Sequence, residues 1–138
     1  MTTAGAATLI DTNIFVDLLM GDPVWLDWSA RALSQAAGEG ALLTNLVVYA
    51  ELFTHDTAGP HIDLLLQGLE VEVRDLSRPA ARLAAQAFRS YRQRGGAKTG
   101  VLPDFFIGAH AQAEGHRLLT RDAGRYRSYF PGLALICP

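Results

Sequence analysis

The sequence predicts an α/β domain with a central, mainly parallel β-sheet flanked by helices on both faces, and three observations predict it. Its short apolar runs lack the in–out alternation of a one-sided sheet, so they read as strands buried on both faces. Between them, apolar residues recur at helical spacing. Strands and helices alternate with no repeat, linker or low-complexity tract, and 138 residues is the length of one ordinary domain, residues 1–138. The hydrophobic fraction of 49% is enough to bury a core and excludes a disordered, collagen-like or coiled-coil chain.

Each element has its own local signal. Ala7–Ile10 is the first strand, ending at the polar group Asp11-Thr12-Asn13, after which Ile14, Phe15, Leu18 and Leu19 continue as a helix. Asp22 caps a second helix with Pro23 at its first position, and Trp25, Trp28, Ala32 and Ala36 share one face until Gly38. Ala41–Thr44 is the second strand, and Asn45 caps the helix that carries Val48, Leu52 and, on its flank, Glu51. Pro60 to Leu69 is another helix, closed by Gly68, and Val71–Val73 alternates like a strand. Ser77 caps a helix from Arg78 to about Arg94 with two distinct faces. One carries Arg78, Arg82, Arg89 and Arg92; the other carries Ala80, Leu83, Ala84, Ala87, Phe88 and Tyr91. The run from Gly95 to Gly100 reads as a mobile loop, and Pro103 opens a helix that ends at Gly115. Arg117–Thr120 is a strand ending at Arg121-Asp122, and Leu133–Cys137 is the last strand.

The net charge of −2 hides a strong polarity along the chain. Residues 1–75 carry a net −9, whereas residues 76–138 carry +7, and the segment 76–103 holds six cations and no acid. A basic stripe of this kind is either a solvated helix face or a track for nucleic-acid phosphates. No run reaches the roughly 18 apolar residues a membrane span needs, and the start lacks the basic and apolar segments of a signal peptide, so no membrane association and a cytoplasmic location are expected. The single cysteine, Cys137, cannot form an internal disulfide and reads as a small strand residue.

Acids occur where an open parallel sheet presents its binding edge, at the carboxyl ends of strands. Asp11 follows the first strand, Asp122 follows Arg117–Thr120, and Asp104 sits in the first turn of the helix after the glycine-rich loop. Glu51 lies about two turns into a helix, between Tyr49-Ala50 and Leu52-Phe53, an expensive place for a charge without a partner. Each acid alone has a structural role available as a cap, a turn residue or half of an ion pair. Gathered together, four carboxylates repel one another unless a divalent cation neutralises them, and oxygen-only donors select Mg²⁺ or Mn²⁺.

Four segments carry a resemblance in the same order along the chain: Ile10-Asp11-Thr12-Asn13, Tyr49-Ala50-Glu51-Leu52, Leu102 to Ala111, and Leu119-Thr120-Arg121-Asp122. Together they resemble a PIN domain, specifically the small ribonuclease toxins of the VapC type in toxin–antitoxin pairs, over essentially the whole chain. The run Gly95 to Gly100 is more glycine-rich than the family pattern. The resemblance implies a Mg²⁺-dependent endoribonuclease, with Mn²⁺ as the other candidate ion. Its acidic tetrad would be Asp11, Glu51, Asp104 and Asp122, with Asp11, Asp104 and Asp122 holding metal and Glu51 orienting the attacking water. Asn13 and Thr120 would be the supporting polar residues. It further implies an RNA substrate, a homodimer and a cognate antitoxin seated on an apolar groove, for which Phe15, Leu18, Leu19, Trp25 and Trp28 are candidates alongside their role as core.

Competing readings are weaker. Ala97-Lys98-Thr99 lacks the glycines of a phosphate loop, the four histidines have no zinc spacing, and no nucleophile elbow is present. His110, inside the motif helix, reads as a packing or lining residue. Two other functions fit the same acids: a non-catalytic, metal-dependent RNA-binding regulatory module, and a structure-specific DNA nuclease.

Overall fold

A computed structural model of the chain describes residues 7–55, 59–98 and 100–138. Five strands form one sheet: β1 (Thr8–Ile10), β2 (Leu42–Asn45), β3 (Val71–Arg74), β4 (Arg117–Leu119) and β5 (Leu135–Ile136). Their order is β3-β2-β1-β4-β5, and every adjacent pair is parallel. The helices among the described residues are α1 (Thr12–Met20), α2 (Leu26–Glu39), α3 (Leu46–His55), α4 (Gly59–Gly68), α5 (Arg78–Gln93), α6 (Leu102–Glu114) and α7 (Gly124–Tyr129). Every residue of β1 and β2 is buried, and neighbours along a strand point to opposite faces, so both faces of the sheet are covered. Leu9, Ile10, Leu43, Leu118 and Leu119 form the middle of the core, with Ile14, Phe15, Val48, Leu52, Phe105 and Ile107 packed from the helices. None of the described helices is long and apolar enough to cross a membrane.

The caps expected from sequence are made. Ser77 accepts from Ala80 N at 3.2 Å, and Asn45 Oδ1 accepts from Val48 N at 2.9 Å. The same Asn45 donates through Nδ2 to Nδ1 of the fully buried His110 at 3.0 Å. His110 Nε2 faces the Glu114 carboxylate one turn along α6, so this histidine ties α6 to the end of β2. Gly115 ends α6 with φ of 71°, a left-handed cap that glycine adopts without strain.

Three details differ from the sequence reading. The helix expected from Pro23 begins at Leu26, because residues 23–25 form a turn; Asp22 Oδ1 still accepts from Val24 N (2.8 Å) and Trp25 N (2.9 Å). In the segment expected to be a mobile loop, two residues are tied to Tyr91: Gly96 N donates to its carbonyl (2.9 Å) and Lys98 N to its hydroxyl (3.2 Å). Thr99, like Met1 to Ala6, lies outside the described residues. The third difference is α7, six residues that sequence periodicity is too short to reveal.

That helix rests on α6 through one glycine. A Cβ built on Gly108 would lie 2.6 Å from Phe130 Cε2 and 3.0 Å from Tyr126 Cδ1, and both rings are buried. Replacing Gly108 by Ala should therefore push the α7 segment off α6 and cost about 1–3 kcal/mol, the usual range for overpacking. Urea unfolding reads this directly, and a Gly108→Ala chain as stable as the parent would contradict the close approach.

Candidate active site

The strand order places a switch point between β1 and β4, since the chain builds outward to β3 on one side and to β5 on the other. Asp11 leaves the end of β1 there as the N-cap of α1, and only 5% of it is exposed. Its Oδ1 accepts from Thr12 N at 2.7 Å. Its Oδ2 accepts from Thr120 Oγ1 (2.8 Å), Tyr126 OH (3.0 Å) and, at longer range, Asn13 Nδ2 (3.4 Å). Thr120, at the end of β4, gives its one hydroxyl proton to Asp11 and accepts from Asn13 Nδ2 (3.2 Å) and Asp122 N (3.1 Å). Asn13 Oδ1 accepts in turn from Arg121 N at 3.3 Å. All these donors to Asp11 are neutral. Burial pushes its carboxyl up to about 6, with the nearby Asp104 charge acting the same way, and the hydrogen bonds from Thr120, Tyr126 and Thr12 recover only part of that rise.

The other three acids line the same cleft, of about 250 Å³, with Thr12, Asn13, Val16, His55 and Tyr126. Glu51 accepts from Thr12 Oγ1 at 2.8 Å, so the residue after Asp11 aims the acid brought by α3. Partial burial raises the Glu51 carboxyl above its ordinary range, and the Asp104 charge adds to the effect. Asp104, in the first turn of α6, bonds Arg125 Nη1 at 2.5 Å. Its carboxyl is raised by burial, against the lowering effect of that arginine. Asp122 is exposed at the mouth. The structure thus brings Asp11, Glu51, Asp104 and Asp122 to one cleft, and it puts Asn13 and Thr120 in the network beneath Asp11.

Oxygen-only donors around negative charge that the fold only partly neutralises suit a hard divalent cation. Among the described residues, no three His, Cys, Asp or Glu side chains already stand close enough together to hold an ion. Asp11 is held by its donors, Asp104 is turned to Arg125, and Asp122 is at the surface, so closing round an ion would fall to the latter two.

Three contributors went unread in the sequence: Thr12, Arg125 and Tyr126. Thr12 stood inside the first motif, with no role assigned to it. Ala123, Tyr126 and Phe130 are buried along one side of the α7 segment, and that short helix delivers Tyr126 to Asp11 and Arg125 to Asp104. Burial and the surrounding carboxylates hold the Tyr126 phenol well above its ordinary range, so it remains a donor.

Beyond the cleft, the arginine stripe is spread along α5. Arg78, Arg82, Arg89 and Arg92 are all exposed, on a helix of 16 residues, about 24 Å long. Its C-terminal end adjoins the cleft: Tyr91 packs against Phe105, next to Asp104, and the Arg125 guanidinium carbon is 6.0 Å from the Tyr91 ring centre. Arg89 and Arg92 belong to that end, and Arg78 and Arg82 to the other. Of the residues named both as core and as candidates for an apolar groove, Phe15 takes the core role alone: it is wholly buried, so its groove candidacy is corrected. Leu18, Leu19, Trp25 and Trp28 are partly buried, and Met20 and Val24 beside them are exposed.

Comparison with known proteins agrees with the fold. Similar solved structures include VapBC2 of Rickettsia felis bound to a DNA fragment from its promoter. That chain is 22% identical, with a TM-score of 0.73 over 95% of this chain and 98% of the other. VapBC-1 of nontypeable Haemophilus influenzae is 17% identical, with a TM-score of 0.73 over 95% and 97%. DNA-bound VapBC of Salmonella typhimurium is 17% identical, with a TM-score of 0.68 over 96% and 98%. At these identities the likeness is one of fold. No curated protein is similar enough to count as a relative. The PIN domain family model matches residues 8–130, which takes in all four cleft acids and the α7 residues that hold two of them, and the chain belongs to the PIN domain family.

Proposed function

We propose that this chain is a divalent-metal-dependent endoribonuclease, the toxin of a toxin–antitoxin pair, with Mg²⁺ as the working ion and Mn²⁺ able to replace it. The observation that carries the reading is the set of four carboxylates, from four separate elements, lining one cleft at the sheet's switch point. Structural neighbours described as VapBC and toxin–antitoxin complexes support the toxin role and an antitoxin partner. A homodimer in the cytoplasm completes the proposal.

In this reading Asp11 and Asp104 hold the ion, and Asp122 joins them directly or through water. The ion, when bound, lowers the pKa of water and offsets charge on the phosphodiester during in-line attack. The chain's own residues set the geometry. Thr120, Tyr126 and Thr12 N fix the Asp11 oxygens, and Asn13 holds Thr120. Thr12 aims Glu51, whose raised carboxyl is suited to orient the attacking water and take its proton. Exposed arginines at the C-terminal end of α5 are the phosphate contacts of first choice. Leu18, Leu19, Trp25 and Trp28, with exposed Met20 and Val24, form the surface proposed for the antitoxin.

Changing Asp11 or Asp104 to Asn should abolish metal-dependent cleavage of total RNA while leaving the circular dichroism spectrum unchanged. Retained cleavage in either variant would overturn the assignment. A folded parent chain that binds RNA with metal but never cuts it would instead favour the regulatory module.

Asp11 also makes a stability prediction. Its folded pKa of about 6 exceeds its ordinary 3.8, so the fold favours the protonated form. The contribution of that protonated form is fully present below about pH 4 and lost as the pH rises through 6. Asp11→Asn should therefore unfold at higher denaturant than the parent at pH 7.5 without metal, by about 2–3 kcal/mol, with the gap closing near pH 4. An equal gap at both values would mean that Asp11 is not the titrating group.

Arginine position gives a further prediction. Charge reversal at Arg89 and Arg92 should weaken RNA binding and flatten its salt dependence more than reversal at Arg78 and Arg82. Equal effects, read by fluorescence anisotropy across a salt series, would count against a track ending at the cleft.

A further inference from the structure

Among the described residues, Arg125 is the one arginine or lysine ion-paired with an acid of the cleft. Its neighbour Arg121 also lines the cleft but is spent elsewhere, on a bidentate pair with Asp17. Arg125 comes from α7, whose position is fixed by buried Tyr126 and Phe130, so its main chain is anchored. The side chain is not: Arg125 and Asp104 are each partly exposed, and the guanidinium lies between Asp104 and the Tyr91 ring at the end of α5. It can change partner by rotating its own side chain while α7 stays in place.

Arg125 holds Oδ2 of Asp104, and that carboxylate is one of those the proposed function assigns to metal. With the guanidinium on one oxygen of that carboxylate, a divalent cation bound to the same carboxylate would be repelled by it in a partly buried site. We propose that Arg125 is the exchangeable counter-cation of the cleft: it holds Asp104 until a divalent ion takes that carboxylate, and then turns its planar fork to the phosphodiester. The proposal rests on the metal-dependent nuclease reading above. Two features of arginine suit it to both tasks. It stays charged at any working pH, and its parallel N–H donors match carboxylate and phosphate alike.

The test uses the full chain with Mn²⁺ as the binding probe, followed by electron paramagnetic resonance of the free ion, together with steady-state cleavage of a labelled RNA. Arg125→Gln should bind Mn²⁺ roughly threefold to tenfold more tightly than the parent, the scale expected for removing one partly exposed competing ion pair. It should also show a raised KM for RNA. Arg125→Lys should return Mn²⁺ affinity toward the parent value without restoring KM, because an ammonium pairs with Asp104 but lacks the fork. In the unaltered protein, the Arg125 Nε–H resonance should shift as Mg²⁺ is added, a readout that depends on no variant folding.

Unchanged or weaker Mn²⁺ binding by Arg125→Gln overturns the proposal, as does an Arg125 resonance that ignores Mg²⁺. Tighter Mn²⁺ binding with an unchanged KM overturns the transfer to phosphate. A parent chain that neither binds Mn²⁺ nor cuts RNA would fail the nuclease reading itself, whereas one that does both beside an unaltered Arg125→Gln fails this inference alone.

Discussion

The structure turns on the hydrogen bond from Thr120 to Asp11, 2.8 Å long, which joins the ends of β1 and β4 where the strand order reverses. Every other part of the site is referred to it. Asn13 braces Thr120 from α1, and Asp122 N closes a turn onto the same hydroxyl. Tyr126 adds a second donor to the same Asp11 oxygen from α7. A buried carboxylate without a cation is among the most expensive groups a fold can carry, and neutral donors offset only part of that cost. The neighbouring strand, helix and hydroxyl geometry is therefore constrained to keep those donors in reach.

How much of this was legible in the sequence depends on how local each signal is. Parallel strands buried on both faces announce themselves as apolar runs, and caps such as Asn45 and Ser77 are written within three residues of the helices they start. Asp11, Asp104 and Asp122 were legible because each follows a strand or sits in the first turn of a helix, and Glu51 because its charge interrupts an apolar helical pattern. Tyr126 and Arg125 were not, because their meaning lies 115 and 21 residues away, in Asp11 and Asp104. The helix that carries them has only six residues, too few to show a period. Phe15 and Leu18 could not be told apart as core or groove for a related reason: at helical spacing they look alike, and only tertiary packing separates the buried one from the partly exposed one.

Charge polarity along the chain takes a sharper meaning in three dimensions. Of the acids in the first half, Asp11 and Glu51 come to the cleft, and the basic second half supplies both of the other acids and the arginine that answers one of them. The stripe on α5 is not a single patch around the site, since its ends are separated by the length of the helix. Only the C-terminal end shares rings with α6 and α7, so electrostatic attraction along the stripe would deliver a polyanion toward Asp104.

A comparison within α1 separates structural from functional charge. Asp17 lies six residues after Asp11 and is 1% exposed, so both acids are buried. Asp17 is answered in full: Arg121 holds it with two nitrogens at 2.9–3.2 Å, Ser29 Oγ donates at 2.7 Å, and the guanidinium lies 5.6 Å from the Trp25 ring centre. That set fixes the loop after β4 against α1 and α2, and its charge is spent within the protein. Asp11 receives only neutral donors, and its carboxyl rises to about 6. One chain segment, reading Thr120-Arg121-Asp122, supplies the hydroxyl for one acid and the cation for the other. The fold thus has an arginine within one residue of Asp11's principal donor and directs it away from Asp11. Leaving that carboxylate without a protein cation costs stability, and the cost is consistent with a site whose neutralising charge comes from outside the chain.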